Sequence, residues 1–178
     1  SKMLGGVREQ VEAGVSIGIQ PNIDELLQQV EEFILQGYQR IKLKIAPGWE
    51  IEPLTAVRKQ YPDIKLMVDA NSAFSLDDLP LFQQMEQFNL LMIEQPLHHD
   101  DIINHSKLQA QINTPLCLDE SIKSPDDART MIELNAARIL NLKICRVGGL
   151  TNALLIHQMC LDAGIAMWCG GMEESGIG

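Results

Sequence analysis

Five charged residues recur along the chain at nearly equal intervals, each at the end of a short apolar run. Lys44, Asp69, Glu94 and Asp119 follow one another at intervals of 25 residues, and Lys143 comes 24 residues later. Three carboxylates flanked by two amines can bind a cation and transfer a proton, provided that the fold brings them together. The row therefore predicts a site for metal-assisted acid–base chemistry.

The apolar runs are typical of buried parallel strands. Residues 90–93 are four consecutive apolar residues before Glu94, a pattern that suits a strand covered on both faces. Such runs alternate with segments of helical periodicity along the chain. The predicted strands are residues 15–19, 41–45, 65–69, 90–94, 116–119, 139–143 and 165–169. The predicted helices are residues 23–36, 50–61, 75–88, 100–112, 124–135 and 151–163.

Seven strands alternating with six helices fit either an open α/β sheet or a (β/α)₈ barrel. The barrel is favoured because its strand ends ring a single mouth, where five charged residues can converge. A complete barrel needs eight strands and about 250 residues. We therefore expect a partial (β/α) barrel over residues 15–178, preceded by a linker over residues 1–14.

Composition narrows the class of protein. The chain has 178 residues, 46% of them hydrophobic, and a formal charge of −10. That charge argues against binding to nucleic acid or to an anionic membrane. The four cysteines form no C-x-x-C pair, so we expect reduced, buried thiols in a cytoplasmic protein. The sequence leaves open whether the protein forms a homo-oligomer.

Asp69, Glu94 and Asp119 are the predicted metal ligands. Three carboxylates close together raise one another's pKa unless a cation neutralises them. Oxygen ligands without His or Cys favour Mg²⁺, or Mn²⁺, over Zn²⁺. A single such acid would more often cap the next helix, but three at equal spacing are harder to explain that way.

The two flanking lysines are the predicted catalytic residues. Lys44 is the candidate general base, and Lys143 lies on the other side of the carboxylates. Lys42 shares the face of Lys44 because side chains alternate along a strand, so it could lower the pKa of Lys44. A metal with a lysine on either side suits removal of a proton from the carbon next to a carboxylate. This gives an enediolate that the metal stabilises. The expected partner is a small carboxylate substrate.

Several other residues are candidates for substrate contact. Asn71 lies two residues after Asp69, and Gly170, Gly171 and Met172 would bring backbone close to a substrate, with Lys42 as a further contact. Glu174 is a polar candidate in the same segment. Glu120 either hydrogen-bonds inside the site or faces outward. The segment His98-His99-Asp100-Asp101 is more typical of a solvated loop than of a metal site.

Together these motifs resemble the enolase superfamily, muconate-lactonising subgroup. The matching segments are Lys42-Leu43-Lys44, Asp69-Ala70-Asn71, Glu94-Gln95-Pro96, Asp119-Glu120-Ser121 and Lys143. Further stretches resemble the o-succinylbenzoate synthase / N-acylamino acid racemase family: Pro47-Gly48-Trp49, Arg146-Val147-Gly148-Gly149 and Trp168-Cys169-Gly170-Gly171-Met172.

The resemblance implies Mg²⁺ on the three carboxylates, Lys44 as base and Lys143 as the lysine of the opposite face. The implied reaction is syn-dehydration to 2-succinylbenzoate in menaquinone biosynthesis, with racemisation of N-acylamino acids in some relatives. It also implies a capping domain and a closing strand outside this chain, so that the chain alone is expected to be inactive. The departures are Ile144-Cys145, where Pro-Gly is expected, and Glu173, where an apolar residue is expected. A dipeptide epimerase or cycloisomerase of the same superfamily, or a non-catalytic metal-binding fragment, are the alternatives.

Overall fold

A computed structural model describes residues 5–7 and 9–172; Glu173 and Glu174, named above, lie outside them. The described chain forms one sheet of seven parallel strands in the order β1 to β7. The strands are β1 (Val15–Ile17), β2 (Arg40–Lys44), β3 (Lys65–Asp69), β4 (Ile93–Glu94), β5 (Leu116–Leu118), β6 (Ile139–Leu142) and β7 (Ala166–Cys169). The predicted partial barrel is confirmed.

Six α-helices connect the strands. They are α1 (Ile23–Leu35), α2 (Ile51–Gln60), α3 (Leu79–Met85), α4 (Ile102–Gln109), α5 (Pro125–Glu133) and α6 (Leu150–Ala163). Predicted caps are present: the Oδ1 of Asn22 accepts from the backbone N–H of Glu25 at 2.9 Å, and Ser124 caps α5 in the same way. No helix among the described residues has the length and apolar character needed to cross a membrane.

Three predicted elements differ clearly from the structure. The third helix is broken into a 3₁₀ turn (Leu76–Asp78), α3 and a second 3₁₀ turn (Glu86–Phe88), because Pro80 restricts its first turn and Asn89 takes a left-handed φ of 49°. Strand β1 is shorter than expected, and Ile19 is exposed. Strand β4 has only two residues, since the chain bends at Leu91 before the regular ladder begins.

The sheet curls so that its two edges approach each other. Lys42 in β2 places its Nζ 5.3 Å from the ring centre of Trp168 in β7, although four strands lie between them in the sheet. Side chains of the seven strands therefore alternate between a concave inner face and a convex outer face.

The outer face packs against the helices and forms the main core. Its buried strand residues are apolar, and they are Ile17, Ile41, Leu43, Leu66, Val68, Ile93, Leu116, Leu118 and Leu140. A smaller apolar cluster of Met67, Met92 and Cys117, with Trp168 against it, fills part of the inner face. Beside that cluster, the inner face carries charged residues.

The cysteine prediction is confirmed only in part. Two of the four thiols, those of Cys117 and Cys160, are buried, whereas those of Cys145 and Cys169 are exposed. Cys169 is exposed because it ends β7, the last strand of the described sheet, and Cys145 because it lies in the turn after β6.

Candidate active site

The predicted row of charges lies along the carboxyl ends of five adjacent strands. Lys44, Asp69 and Glu94 end their strands, and the sheet register aligns Lys44 with Asp69 and Asp69 with Glu94. Asp119 and Lys143 each lie one residue beyond their strand, not within it as predicted. One edge of the curled sheet thus holds all five residues.

Asp69 receives hydrogen bonds from two lysines. Its Oδ2 accepts from the Nζ of Lys42 at 2.9 Å and from the Nζ of Lys44 at 2.6 Å, while its Oδ1 accepts from the backbone N–H of Asn71 at 3.1 Å. Burial would raise the pKa of Asp69, but the charges and hydrogen bonds of the two lysines outweigh it, so that the pKa is lowered. Asp69 is therefore ionised and fully bonded.

Glu94 is fully buried and has one partner on each oxygen. Its Oε1 accepts from the Nδ2 of Asn141 at 2.7 Å, and its Oε2 accepts from the Nζ of Lys42 at 3.0 Å. Burial, followed by repulsion from Asp69, raises the pKa of Glu94 despite these two donors. The two donors thus offset only part of the effect of burial and of the Asp69 charge on Glu94.

Asp119 is paired with two cations from the loop after β6. Lys143 donates to its Oδ2 at 2.8 Å, and the guanidinium of Arg146 donates to its Oδ1. Arg146 belongs to the segment Arg146-Val147-Gly148-Gly149, but the sequence alone predicted no role for it at the site. Its position three residues after Lys143 was the available signal.

Lys42 lies deeper in the inner face than the other cations. Burial works to lower the pKa of its amine, but the carboxylates of Glu94 and Asp69 more than compensate, and the pKa is raised. Lys42 is thus a permanent cation that partly neutralises two of the three acids. Its predicted contact with a substrate stays a prediction.

Lys44 contacts the loop after β3 as well as Asp69. Its Nζ donates to the Oδ1 of Asn71, whose Nδ2 donates to the Oε1 of Glu120 at 2.7 Å. Of the two orientations left open for Glu120, the structure shows the one inside the site. The Lys44 side chain is 31% exposed and that of Lys143 is 16% exposed, so both amines can be reached from solvent.

Gly170 is required by the packing of the inner face. A Cβ on Gly170 would overlap the side-chain amide of Asn141, whereas a Cβ on Gly171 would meet nothing within 4 Å. Both glycines line a cavity of about 200 Å³ together with Lys42 and Lys143. Gly170 therefore serves the Asn141–Glu94 contact, a role that sequence alone did not suggest.

Gln95, which follows Glu94, ties two of the acidic strands together. It is fully buried in a left-handed backbone conformation with φ of 38°. Its Oε1 accepts from the backbone N–H groups of Asp119 and Ser121 at 2.9 and 3.1 Å, and its Nε2 donates to the hydroxyl of Ser121 at 2.8 Å. An amide that supplies both donor and acceptor fixes the position of Asp119 beside Glu94.

The three acids suit a hard divalent cation. Asp69, Glu94 and Asp119 are 1%, 0% and 1% exposed and offer carboxylate oxygens alone, the ligand chemistry of Mg²⁺. Each of these acids is bonded to at least one cationic side chain. Among the described residues, the three carboxylates do not form a cluster whose ligand atoms all lie within 4.8 Å of one another.

Within the described ranges, the group that meets this distance is His98, His99 and Asp100. Asp100 is bonded to Lys123 at 2.8 Å, and His98 and Asp100 are exposed. Asp101 accepts the backbone N–H of Asn104 and so caps α4. A cation beside Asp100 and open solvent around it agree with the prediction of a solvated loop.

Comparison with known proteins finds a matching family model and several similar proteins. Residues 25–178 match the family model described as "Enolase C-terminal domain-like". The chain is 53% identical over 175 residues to "o-succinylbenzoate synthase" of Geobacillus kaustophilus, covering 98% of this chain and 47% of that protein. It is 49% identical over 177 residues to "N-succinylamino acid racemase" of Thermus thermophilus, covering 99% of this chain and 48% of that protein.

Solved structures agree with the fold. A structure of a "Probable Mandelate Racemase" from Alicyclobacillus acidocaldarius superposes with a TM-score of 0.94 at 41% identity, covering 99% of this chain and 46% of that one. A more distant relative, "Hydrophobic dipeptide epimerase" of Enterococcus faecalis, is 32% identical over 183 residues, covering 99% of this chain and 51% of that protein. The chain thus spans about half the length of the curated relatives it matches.

Proposed function

The chain belongs to the enolase C-terminal domain-like family, and from this premise we propose that its parent protein removes a proton next to a substrate carboxylate. Lys44 acts as the general base on one face of the substrate and Lys143 on the opposite face. The observation that carries the proposal is the placement of these two amines on either side of three buried carboxylates.

The proposed reaction is dehydration to 2-succinylbenzoate, a step of menaquinone biosynthesis, in the cytoplasm. Removal of the α-proton by Lys44 leaves an electron pair that breaks the bond to the hydroxyl on the neighbouring carbon and forms a double bond. The protonated Lys44 gives the proton back to the departing hydroxyl on the same face, so that water leaves and the amine is regenerated. Relatives named o-succinylbenzoate synthase, at 53% identity, support this substrate class. Racemisation of N-succinylamino acids, supported by a relative at 49% identity, uses the same proton removal followed by its return from the opposite face.

Asp69, Glu94 and Asp119 would hold Mg²⁺, or Mn²⁺ in its place. When bound, the metal supplies Lewis acidity towards the substrate carboxylate and lowers the energy of the enediolate. The chain prepares this site through Gln95, which fixes Asp119 beside Glu94. Lys42 reduces the mutual repulsion of the acids in the inner face.

The two lysines have different surroundings, which suits them to different faces. The Nζ of Lys44 is held by Asp69 and Asn71, and the Nζ of Lys143 by Asp119. Arg146 shares Asp119 with Lys143 and therefore weakens the hold of that carboxylate on the lysine. In the dehydration, Lys143 stabilises the anion as a cation; in the racemisation, it returns the proton.

We also propose that residues 1–14 link this part of the barrel to a capping domain that helps to enclose the substrate. Gly170, Gly171 and Met172 would then face the substrate from the barrel side. The second candidate function is epimerisation of dipeptides, favoured by the relative at 32% identity. It ranks behind because the relatives near 50% identity bear the other two names.

Turnover by the full-length parent protein tests the proposal. With Mg²⁺ present, we expect dehydration of a cyclohexadiene carboxylate to 2-succinylbenzoate, and loss of this activity after removal of the metal with EDTA. An N-succinylamino acid and a hydrophobic dipeptide assayed alongside separate the three substrate classes. Turnover of the dipeptide alone would replace the proposed function with the second candidate.

A further inference from the structure

A line of three side chains connects the loop after β5 to the candidate base. Glu120 accepts from the Nδ2 of Asn71 at 2.7 Å, and Asn71 in turn accepts from the Nζ of Lys44. The three residues lie 49 and 27 positions apart in the sequence and come from three different strand ends. The proposed function leaves Glu120 without a role.

The orientation of the Asn71 amide is fixed by its two partners. An ammonium or amine at Lys44 donates, and a carboxylate at Glu120 accepts, so the amide oxygen must face Lys44 and its nitrogen must face Glu120. Loss of the acceptor at Glu120 would free the amide to rotate, and Lys44 would then lose a fixed partner.

Other contacts already fix the backbone at Asn71. The contribution of Glu120 is therefore to fix the side-chain torsions of Asn71. Asn71 and Ser72 adopt left-handed φ angles of 43° and 66°. The N–H of Asn71 donates to Asp69 at 3.1 Å, and the N–H of Ser72 donates to the carbonyl of Gln95 at 2.8 Å. A rigid backbone with one bonded amide makes a defined support for an amine.

Within the part of the chain that the structure describes, Glu120 has one hydrogen-bonded oxygen and one oxygen with no such partner. Its Oε2 is buried and accepts no hydrogen bond from the described residues, whereas its Oε1 is bonded to Asn71. Its neighbour Asp119 turns to Lys143 and Arg146 instead. The contact with Asn71 is therefore the bond through which Glu120 reaches the site.

We propose that Glu120 is a positioning residue that acts through Asn71 to hold the Nζ of Lys44 towards one face of the substrate. The inference rests on the proposed function, because it concerns the base of that reaction. With the Nζ of Lys44 bonded to Asp69 and to Asn71, one position of the amine is left for the substrate. Lys143 is bonded to Asp119, so the effect of Glu120 is confined to the face that Lys44 serves.

The test uses the full-length parent protein saturated with Mg²⁺ and the two enantiomers of one N-succinylamino acid. Proton NMR in D₂O follows exchange of the α-proton in each enantiomer separately. The enantiomer whose exchange is lost in Lys44→Ala defines the Lys44 side. In Glu120→Ala we expect kcat for that enantiomer to fall about 10- to 100-fold, the size of a small misplacement of a reacting group, with KM and the other enantiomer within about twofold.

Three further variants separate positioning from general damage. Glu120→Gln keeps an acceptor oxygen for Asn71 and is expected to restore exchange to within about threefold of the wild type. Asn71→Ala should give the same one-sided loss, and Glu120→Ala added to it should cost nothing more, because both changes break one connection. Glu133→Ala removes an exposed carboxylate on α5 and should leave both enantiomers unchanged.

The outcomes distinguish this inference from the proposed function. If the wild type exchanges both enantiomers and Glu120→Ala slows neither, or slows both equally, the positioning role is wrong and the proposed function stands. Weaker Mg²⁺ binding in Glu120→Ala, measured by calorimetry, would also overturn it, since Glu120 would then act on the metal site. If the wild type exchanges neither enantiomer, both the racemisation and the inference fail.

Discussion

The outer and inner faces of the same seven strands differ in the polarity of their buried residues. On the outer face, Leu66 and Val68 are fully buried against helices and contact apolar neighbours. On the inner face, Asp69 and Glu94 are equally buried but carry charge. Neighbouring residues of one strand therefore have opposite effects on stability. Those on the outer face stabilise the fold, whereas those on the inner face include charged groups whose burial costs stability.

The inner face tolerates its charges because each acid accepts hydrogen bonds from side chains of other strands or of the loop after β6. Lys42 donates to both Asp69 and Glu94, and Asn141 in β6 donates to the other oxygen of Glu94. The balance is incomplete at Glu94, whose pKa is raised by burial and by Asp69. A site built for a cation has this property, whereas a site built for stability would avoid it.

Placing an inner-face residue type on the outer face should produce the largest effect on folding. Val68→Asp buries an unpaired carboxylate among helices and is expected to cost about 4 kcal/mol or more, so that the parent protein does not fold at neutral pH. Circular dichroism and thermal melting check this. Lys65→Ala on the same strand, at an exposed position, should change stability by less than about 0.5 kcal/mol. A folded Val68→Asp variant would show that the outer face is not the main source of stability.

A methyl group on the inner face should have a smaller effect. Gly170→Ala forces Asn141 away from Glu94 and is expected to cost about 1–3 kcal/mol, as overpacking does, and to weaken Mg²⁺ binding. Gly171→Ala is the matched control, since its Cβ meets nothing within 4 Å, and its melting temperature should equal that of the wild type. Equal melting temperatures for all three proteins would contradict the packing role of Gly170.

Neutralising an inner-face acid should raise stability slightly. The folded-state pKa of Glu94 lies above its ordinary value, so the folded protein binds more protons than the unfolded chain, and the Glu94 contribution to stability falls as pH rises through that range. In metal-free protein, Glu94→Gln should melt about 2–4 °C higher at pH 7, the shift expected for about 1 kcal/mol in a domain of this size. This requires that the Asn141 amide turns so that its Oδ1 accepts from the new Nε2. The difference should shrink towards pH 4 and reverse in saturating Mg²⁺. A lower melting temperature without metal would indicate that Glu94 is fully compensated.

Much of the fold and the row of charges could be predicted from periodicity. Strand alternation and the spacing of Lys44, Asp69 and Glu94 follow from local rules that act over a few residues. Local rules do not give side-chain pairings between distant strands. The contact of Asn141 with Glu94, and the need for Gly170 beside it, depend on how far the sheet curls.

The same limit applies to the loops at the strand ends. The left-handed conformation of Gln95 and the pairing of Arg146 with Asp119 arise from hydrogen bonds between two loops, and no pattern within one loop predicts them. The shortness of β4 likewise reflects a bend at Leu91. The residues of the site could therefore be predicted from the sequence, but the hydrogen bonds that orient their side chains could not.

Exchange of the substrate α-proton with D₂O tests the central claim most directly. With Mg²⁺ and both enantiomers of an N-succinylamino acid, the wild-type parent protein should exchange both. Lys44→Ala should lose exchange of one enantiomer, and Lys143→Ala that of the other, each by about 10²- to 10⁴-fold, the usual contribution of a general base. Mg²⁺ binding should persist in both variants. Undiminished exchange of both enantiomers in Lys44→Ala would contradict the assignment of Lys44 as the base.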